Sequence, residues 1–383
     1  MSFNFATAGR IAFGDGTSEQ LLEEVKAFGD RAFVITGNHT DADESPLATL
    51  KELPGLEIWR TTGEPSVEGV RAATAAAREA NPDVIVALGG GSVIDTAKSV
   101  GILLRNDGDL MDYLEVVGRG QKLAARTVPV VALPTTSGTG AEVTANAPIY
   151  SPEHKLKASL RSPAMIPAVA IVDPNLTLSC PPAVTASSGL DALTQCIEPF
   201  TSGQANAFTD ILSQEGLRRT ATGLRAAYAD GSNRVAREDM AFASLLGGLS
   251  LANAKLGAAH GIAAPVGGLT GAPHGNVCAA VLAQCCETNI KAMKERDPEN
   301  PAIARYDTVG QLLTGNPEAT AEDGTAWIRE TVAMLGVGGL ASLGLTEARL
   351  DAATKGAMNA SSMKGNPIVL TYEEVHAILT ASL

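Results

Sequence analysis

The stretch Asp83-Val-Ile-Val-Ala-Leu-Gly-Gly-Gly-Ser-Val-Ile-Asp-Thr-Ala-Lys98 decides the fold class. Its first six residues are almost continuously apolar, as in a strand buried on both faces. Three glycines end the run, and apolar spacing of helical type follows from Val93 to Leu104. Working outward, the alternation repeats. Upstream, Arg31-Ala-Phe-Val-Ile-Thr36 and Leu56-Glu-Ile-Trp59 read as strands, and Val67 to Ala80 as an Ala-rich helix. Downstream, Val128-Pro-Val-Val-Ala-Leu133 and Ala168-Val-Ala-Ile-Val172 read as further buried strands. Strand and helix in alternation predict a parallel sheet covered by helices.

The character changes at Asp173-Pro-Asn-Leu-Thr-Leu-Ser-Cys-Pro-Pro182, a segment rich in breakers. Beyond it Ala, Leu and Gly dominate, and helical patterns cover about 185–199, 208–229, 237–263, 274–293, 325–335 and 346–360. Thr346 suits a helix start before its acidic neighbour. The division expected is an α/β domain over 1–180 and an all-α domain over 181–383.

Composition narrows the function classes. With 29 basic and 42 acidic side chains in 383 residues, the net charge is −13, which argues against a general nucleic-acid surface. No apolar run reaches the ~20 residues that span a bilayer. The beginning of the chain lacks the basic and apolar regions of a secretory signal. The five cysteines, Cys180, Cys196, Cys278, Cys285 and Cys286, are odd in number and form no C-x-x-C pair. Reduced, small buried side chains in a cytoplasmic enzyme are the expectation.

Two loops carry the first chemistry. Gly89-Gly-Gly-Ser92 joins a strand to a helix, so backbone amides and the positive helix end can meet an anion. The run is not G-x-G-x-x-G, because Ile94 occupies the third glycine position. A tight strand–helix connection is the competing reading. The second loop, Pro134-Thr-Thr-Ser-Gly-Thr-Gly-Ala-Glu-Val-Thr144, offers hydroxyls at Thr135, Thr136, Ser137 and Thr139 after another strand. Two such loops at the carboxyl ends of parallel strands fit the crevice where open α/β sheets bind nucleotides.

The helical half suggests a metal site. Asp191 and Gln195 in Ser188-Gly-Leu-Asp-Ala-Leu-Thr-Gln-Cys-Ile-Glu198 share a helix face. His260 and His274 lie in apolar, Gly/Pro-broken surroundings. One carboxylate and two imidazoles make a set for a divalent metal. Two core histidines, each bonded to a carbonyl, are the other reading. His39, His154 and His376 read as surface or supporting residues.

Together with Gly189-Leu-Asp-Ala-Leu-Thr194, His260-Gly and Pro273-His-Gly, these loops resemble the iron-containing (group III) alcohol dehydrogenase family. The similarity runs from Ile11-Ala-Phe-Gly14 to Asn366-Pro367. The resemblance implies an N-terminal nucleotide-binding α/β domain, a helical C-terminal domain and an active site in the cleft between them. This is an architecture shared with dehydroquinate synthases. It implies hydride transfer between a small alcohol, aldehyde or ketone and NAD or NADP, with iron or zinc. A homodimer is also implied. It assigns Gly90, Gly91 and Ser92 to the pyrophosphate, and Thr135, Thr136, Thr139, Asn146 and Lys157 to the rest of the cofactor. Asp95 would face the nicotinamide, and Asp191, His260 and His274 match metal ligands and catalytic residues.

Four departures stand out. Gln195 replaces a usual histidine ligand and is kept as a weaker fourth ligand. Ala264 replaces a histidine associated with proton relay. After Thr36, Gly37-Asn-His39 replaces an aspartate that selects NAD, which admits NADP with Asn38 and His39 beside its phosphate. Ile368 follows Asn366-Pro367 where arginine is often seen. The rival readings are a maleylacetate-reductase-like or sugar-alcohol dehydrogenase, a dehydroquinate-synthase-like lyase, and a metal-free nucleotide-binding relative.

Overall fold

The computed structural model describes residues 2–38, 46–124 and 126–383, so His39 lies outside the described residues. Two compact units appear: residues 7–136 with 140–178, and residues 179–383 with 2–6 and 137–139.

The α/β unit contains, in chain order, β1 (Arg10–Phe13), α1 (Leu21–Lys26), β2 (Arg31–Gly37), β3 (Gly55–Thr61), α2 (Val67–Ala80) and β4 (Val84–Gly89). It continues with α3 (Gly91–Leu103), α4 (Leu110–Tyr113), β5 (Val130–Pro134), β6 (Asn146–Ser151), β7 (Leu156–Arg161) and β8 (Val169–Val172). Six strands form one sheet in the order β1-β8-β5-β4-β2-β3, and every pair within it is parallel. The continuous apolar run of β4 has the expected cause. Val84, Val86 and Leu88 join one core with Leu21, Leu47 and Leu50, while Ile85 and Ala87 join another with Ala73, Ala77 and Ala97.

The strand order reverses beside β2. From β2 the chain moves to β3 at the sheet edge, then returns to β4 on the other side of β2. Such a reversal opens a crevice at the carboxyl ends of the two strands. Those ends are Thr36-Gly37 and Leu88-Gly89, joined by a 2.8 Å hydrogen bond from Thr36 Oγ1 to the Leu88 carbonyl. The antiparallel hairpin β6–β7 was not expected from the sequence.

The helical unit comprises α5 (Pro182–Thr201), α6 (Ala207–Ala229), α7 (Arg234–Ala254), α8 (Ala258–Thr270) and α9 (His274–Arg296). It ends with α10 (Ala302–Thr314), α11 (Ala321–Met334), α12 (Leu350–Asn359) and α13 (Tyr372–Ala381). From Gly189 to Thr201 every side of α5 is buried. Small residues allow this: a β-carbon on Gly216 would lie 2.5 Å from Cys196 Sγ, and one on Gly247 would lie 3.1 Å from Gln195 Cβ.

The single helix expected over 237–263 is corrected to two. The chain breaks at Lys255, held at φ 65°, and restarts after Gly257, so His260 enters the first turn of a new helix. Thr346 makes no side-chain cap, and α12 starts only at Leu350 after a short 3-10 turn. Helix α10 is an addition to the sequence reading. The cysteines are all free thiols, four of them buried. Among the described residues no helix is long and apolar enough to cross a membrane.

Candidate active site

At the end of β4 the chain turns directly into α3, with extended Gly90 as its N-cap and no side-chain cap. The first amides of any helix lack an intrahelical acceptor, so this end presents unpaired donors with a positive dipole. Two glycines are demanded by space. A β-carbon on Gly89 would lie 2.5 Å from Val93 Cγ2, and one on Gly90 would lie 3.1 Å from Thr136 Oγ1. The second loop meets the first at Thr135, whose amide donates to the Gly89 carbonyl at 3.0 Å. Gly90, Ser92, Thr135 and Thr136 remain partly accessible, which suits a cofactor cradle. Thr139 belongs to the helical unit and is likewise partly accessible.

The other residues expected at the cofactor have these surroundings. Asp95 is buried and ion-paired at 2.8 Å with Lys98, itself fully enclosed. Burial pushes the Asp95 carboxyl up and Lys98 opposes it. Lys98 Nζ also donates to the Ala141 carbonyl and to Thr144 Oγ1, each at 3.0 Å, tying α3 to the second loop. Asn146 opens β6 opposite Arg161. Lys157 on β7 forms an ion pair with Glu64. Gly37 ends β2, and its carbonyl accepts from Arg60 Nη1 at 2.9 Å.

In the helical unit, Asp191, His260, His274 and Cys278 gather so that one donor atom of each lies within 4.8 Å of all the others. Three helices supply them: α5, the first turn of α8, and the first two turns of α9. His260 Nε2 lies 3.4 Å from Asp191 Oδ1, and His274 Nε2 lies 3.8 Å from it. Gln195 Nε2 donates to Asp191 Oδ2 at 2.9 Å. Asp191 Oδ1, His260 Nε2 and Gln195 Oε1 are buried without hydrogen-bond partners. Core histidines satisfied by carbonyls would not leave such atoms bare, because an unpaired buried polar group is costly. Carboxylate, imidazole and thiol donors converging on one point fit a first-row divalent cation.

Glu198 builds the far side of this cluster. It lies seven residues after Asp191, on the same face of α5. Its Oε2 faces His260 Nδ1 at 2.6 Å, and its Oε1 accepts from the Ala259 amide at 2.6 Å. The carboxylate thus caps α8 and orients His260, leaving Nε2 to face Asp191. Burial pushes the His260 pKa down, but Glu198 and Asp191 outweigh it and raise it to about 10. Burial likewise pushes Asp191 up, and His260 and His274 more than offset this, holding it low. The two carboxylates thus favour a positive charge on the ring between them.

Asn366 completes the support. Its Oδ1 accepts from the Ala258 amide and from Asn289 Nδ2, each at 3.1 Å. Its Nδ2 donates to Asn289 Oδ1 at 2.7 Å and to the Ile368 carbonyl at 2.8 Å. Asn366 thus pins the start of α8. The sequence reading missed Glu198 and Cys278. The available signal was helical spacing, from Asp191 to Glu198 and from His274 to Cys278. His154 bonds Ser151 Oγ at 2.8 Å in the β6–β7 turn, and His376 lies on α13 beside Tyr372.

Comparison with known proteins decides the family. The family model described as iron-containing alcohol dehydrogenase matches residues 8–174, and that described as Fe-containing alcohol dehydrogenase family, C-terminal, matches residues 185–383. The chain belongs to the iron-containing alcohol dehydrogenase family. It is an oxidoreductase acting on CH–OH groups. The 1,3-propanediol dehydrogenase of Klebsiella pneumoniae is 36% identical over 360 residues, covering 91% of this chain and 90% of that protein. The 4-hydroxybutyrate dehydrogenase of Cupriavidus necator is 33% identical over 378 residues, covering 96% of each. The crystal structure of a 1,3-propanediol oxidoreductase superposes with a TM-score of 0.90 at 31% identity, covering 100% of both chains. A sulfoacetaldehyde reductase from Bifidobacterium kashiwanohense, solved with NAD+, gives a TM-score of 0.86 at 26% identity, covering 100% of this chain and 98% of that one.

Proposed function

We propose that this dehydrogenase interconverts small primary alcohols and aldehydes with NADP(H), using a divalent ion held by Asp191, His260 and His274. The observation that carries the reading is the buried pair Asp191 Oδ1 and His260 Nε2, which face each other across 3.4 Å without a hydrogen bond, beside His274. The chemistry supplied by the bound groups is Lewis-acid polarisation of the C–O group and hydride carriage by the nicotinamide. Asp191 and the two imidazoles fix the ion, and Glu198 fixes His260. Gly90, Gly91 and Ser92 offer amides to the pyrophosphate, and Thr135, Thr136, Thr139, Asn146 and Lys157 are proposed along the cofactor. Ala264 contributes no titratable group, so in this reading the alcohol proton leaves by way of water, a ribose hydroxyl or a hydroxyl on the substrate.

Preference for NADP(H) is supported at the end of β2. Gly37 and Asn38 bring no carboxylate to repel a 2′-phosphate, and Arg60 brings a guanidinium to the neighbouring strand end, bonded to the Gly37 carbonyl. The primary-alcohol class is supported by the names of the 1,3-propanediol and 4-hydroxybutyrate relatives. The proposal includes a cytoplasmic homodimer. Free thiols suit a reducing compartment, and light scattering measures the mass. The test is reduction of a panel of small aldehydes by NADPH, with protein stripped of metal and then reloaded. Activity lost on stripping and restored by iron or zinc supports the reading. Full activity in the stripped protein removes the metal, and no turnover on any substrate favours a nucleotide-binding protein.

A further inference from the structure

We propose that Cys278 is the fourth protein ligand of the ion site, and that Gln195 positions Asp191 instead of ligating. The inference rests on the metal-binding reading above and deepens it.

Three separations carry the argument. In a tetrahedral site with metal–nitrogen and metal–oxygen bonds of ~2.0–2.1 Å and a metal–sulfur bond of ~2.3 Å, nitrogen and oxygen ligands lie about 3.4 Å apart, and nitrogen and sulfur about 3.6 Å. Here His260 Nε2 to Asp191 Oδ1 is 3.4 Å, and Cys278 Sγ to His274 Nε2 is 3.6 Å. His274 Nε2 to Asp191 Oδ1, at 3.8 Å, is slightly longer. These three separations suit one coordination shell, all four donor atoms lie within 4.8 Å of one another, and a substrate oxygen would enter as a fifth ligand. Cys278 is carried there by α9, one turn beyond His274, and is fully buried.

Gln195 is engaged differently. A carboxylate only accepts, so the amide atom facing Asp191 Oδ2 at 2.9 Å is the nitrogen. That bond fixes the carboxylate with Oδ1 turned towards His260 and His274. The carboxamide oxygen is neutral, whereas a thiolate is a soft, charged ligand preferred by zinc and suited to ferrous iron. Asp191 and a thiolate together balance a divalent charge. Because Gln195 Oε1 is also buried without a partner, the experiment separates the two donors.

The experiment is cobalt(II) reconstitution of the metal-stripped full chain, read by elemental analysis and by absorption spectroscopy. One cobalt per chain with a near-ultraviolet thiolate-to-cobalt charge-transfer band is expected. The band persists in Gln195→Ala and is lost in Cys278→Ser, whose metal affinity falls at least tenfold. Should Cys278→Ser fail to fold, X-ray absorption of the zinc-loaded natural protein decides alone, through one sulfur neighbour at ~2.3 Å. Stoichiometric metal with neither a thiolate band nor a sulfur neighbour overturns the inference and leaves the proposed function standing. A band that survives Cys278→Ser also overturns it. Failure to bind cobalt or zinc at all overturns both.

Discussion

Replacement of Glu198 by glutamine changes one atom and tests how the ion cluster is held. Glu198 receives two donors, the Ala259 amide and the His260 Nδ1–H, each at 2.6 Å and on separate oxygens. A carboxamide has one acceptor oxygen, so its NH2 must face one of those donors. If it faces His260, the ring loses its orienting bond. If it faces Ala259, the first turn of α8 loses its cap. Leaving one such donor unpaired costs about 1–3 kcal/mol. Loss of the carboxylate behind a metal-ligating histidine lowers metal affinity by about 10–100-fold, equivalent to about 1.4–2.7 kcal/mol. The His260 pKa, raised to about 10 by Glu198 and Asp191 against the effect of burial, falls with the Glu198 charge removed. Titration of stripped protein with zinc against a competing chelator measures the affinity, and imidazole NMR of the stripped protein follows His260. Affinity within twofold of the natural protein would refute the reasoning that Glu198 orients His260 for an ion.

Other perturbations give distinct expectations. Burial pushes Glu142 from the ordinary 4.5 up to about 7, against the partial relief of its own backbone amide and Lys98. The folded state therefore gains stability below the unfolded value that is lost as pH rises through about 7, at most about 3 kcal/mol. Glu142→Gln flattens the fall in urea stability between pH 5 and 8 expected for the natural protein, on the order of that loss, and parallel pH curves would contradict this. Arg60→Ala raises the KM for NADPH about 10-fold or more while changing that for NADH little, as expected on losing a charge-assisted phosphate bond. Equal changes for both cofactors would exclude Arg60 from 2′-phosphate recognition. At the start of α9, a β-carbon on Gly275 would lie 2.3 Å from the Ser187 carbonyl oxygen. Gly275→Ala thus pushes α9 from α5, destabilises by about 1–3 kcal/mol and weakens metal binding by displacing His274. Unchanged thermal stability would show that the contact yields without cost.

What the sequence disclosed follows from how each element earns its burial. β4 was readable because both faces are covered, so apolar residues run without interruption. The β6–β7 hairpin was not, because Pro148 and Lys157 dilute its alternation. The α7–α8 break escaped notice because Ala, Leu and Gly continue at helical spacing on both sides. The turn is made by Lys255, a residue that rarely takes positive φ. In the proposed ion cluster, Asp191 stood out by sharing a helix face with Gln195, His260 and His274 as imidazoles in apolar surroundings, and the family resemblance joined the three. Glu198 and Cys278 did not, because their roles arise only where α5, α8 and α9 meet. Asn366 likewise reads as part of a terminal motif, yet its amide is used to secure α8 and Asn289.

Anomalous diffraction at the metal edge, from crystals of protein purified without chelators, tests the account most directly. The expected result is one peak per chain among Asp191 Oδ1, His260 Nε2 and His274, with Glu198 still bonded to His260 Nδ1. A chain active in NADPH-dependent aldehyde reduction but showing no peak there would contradict it.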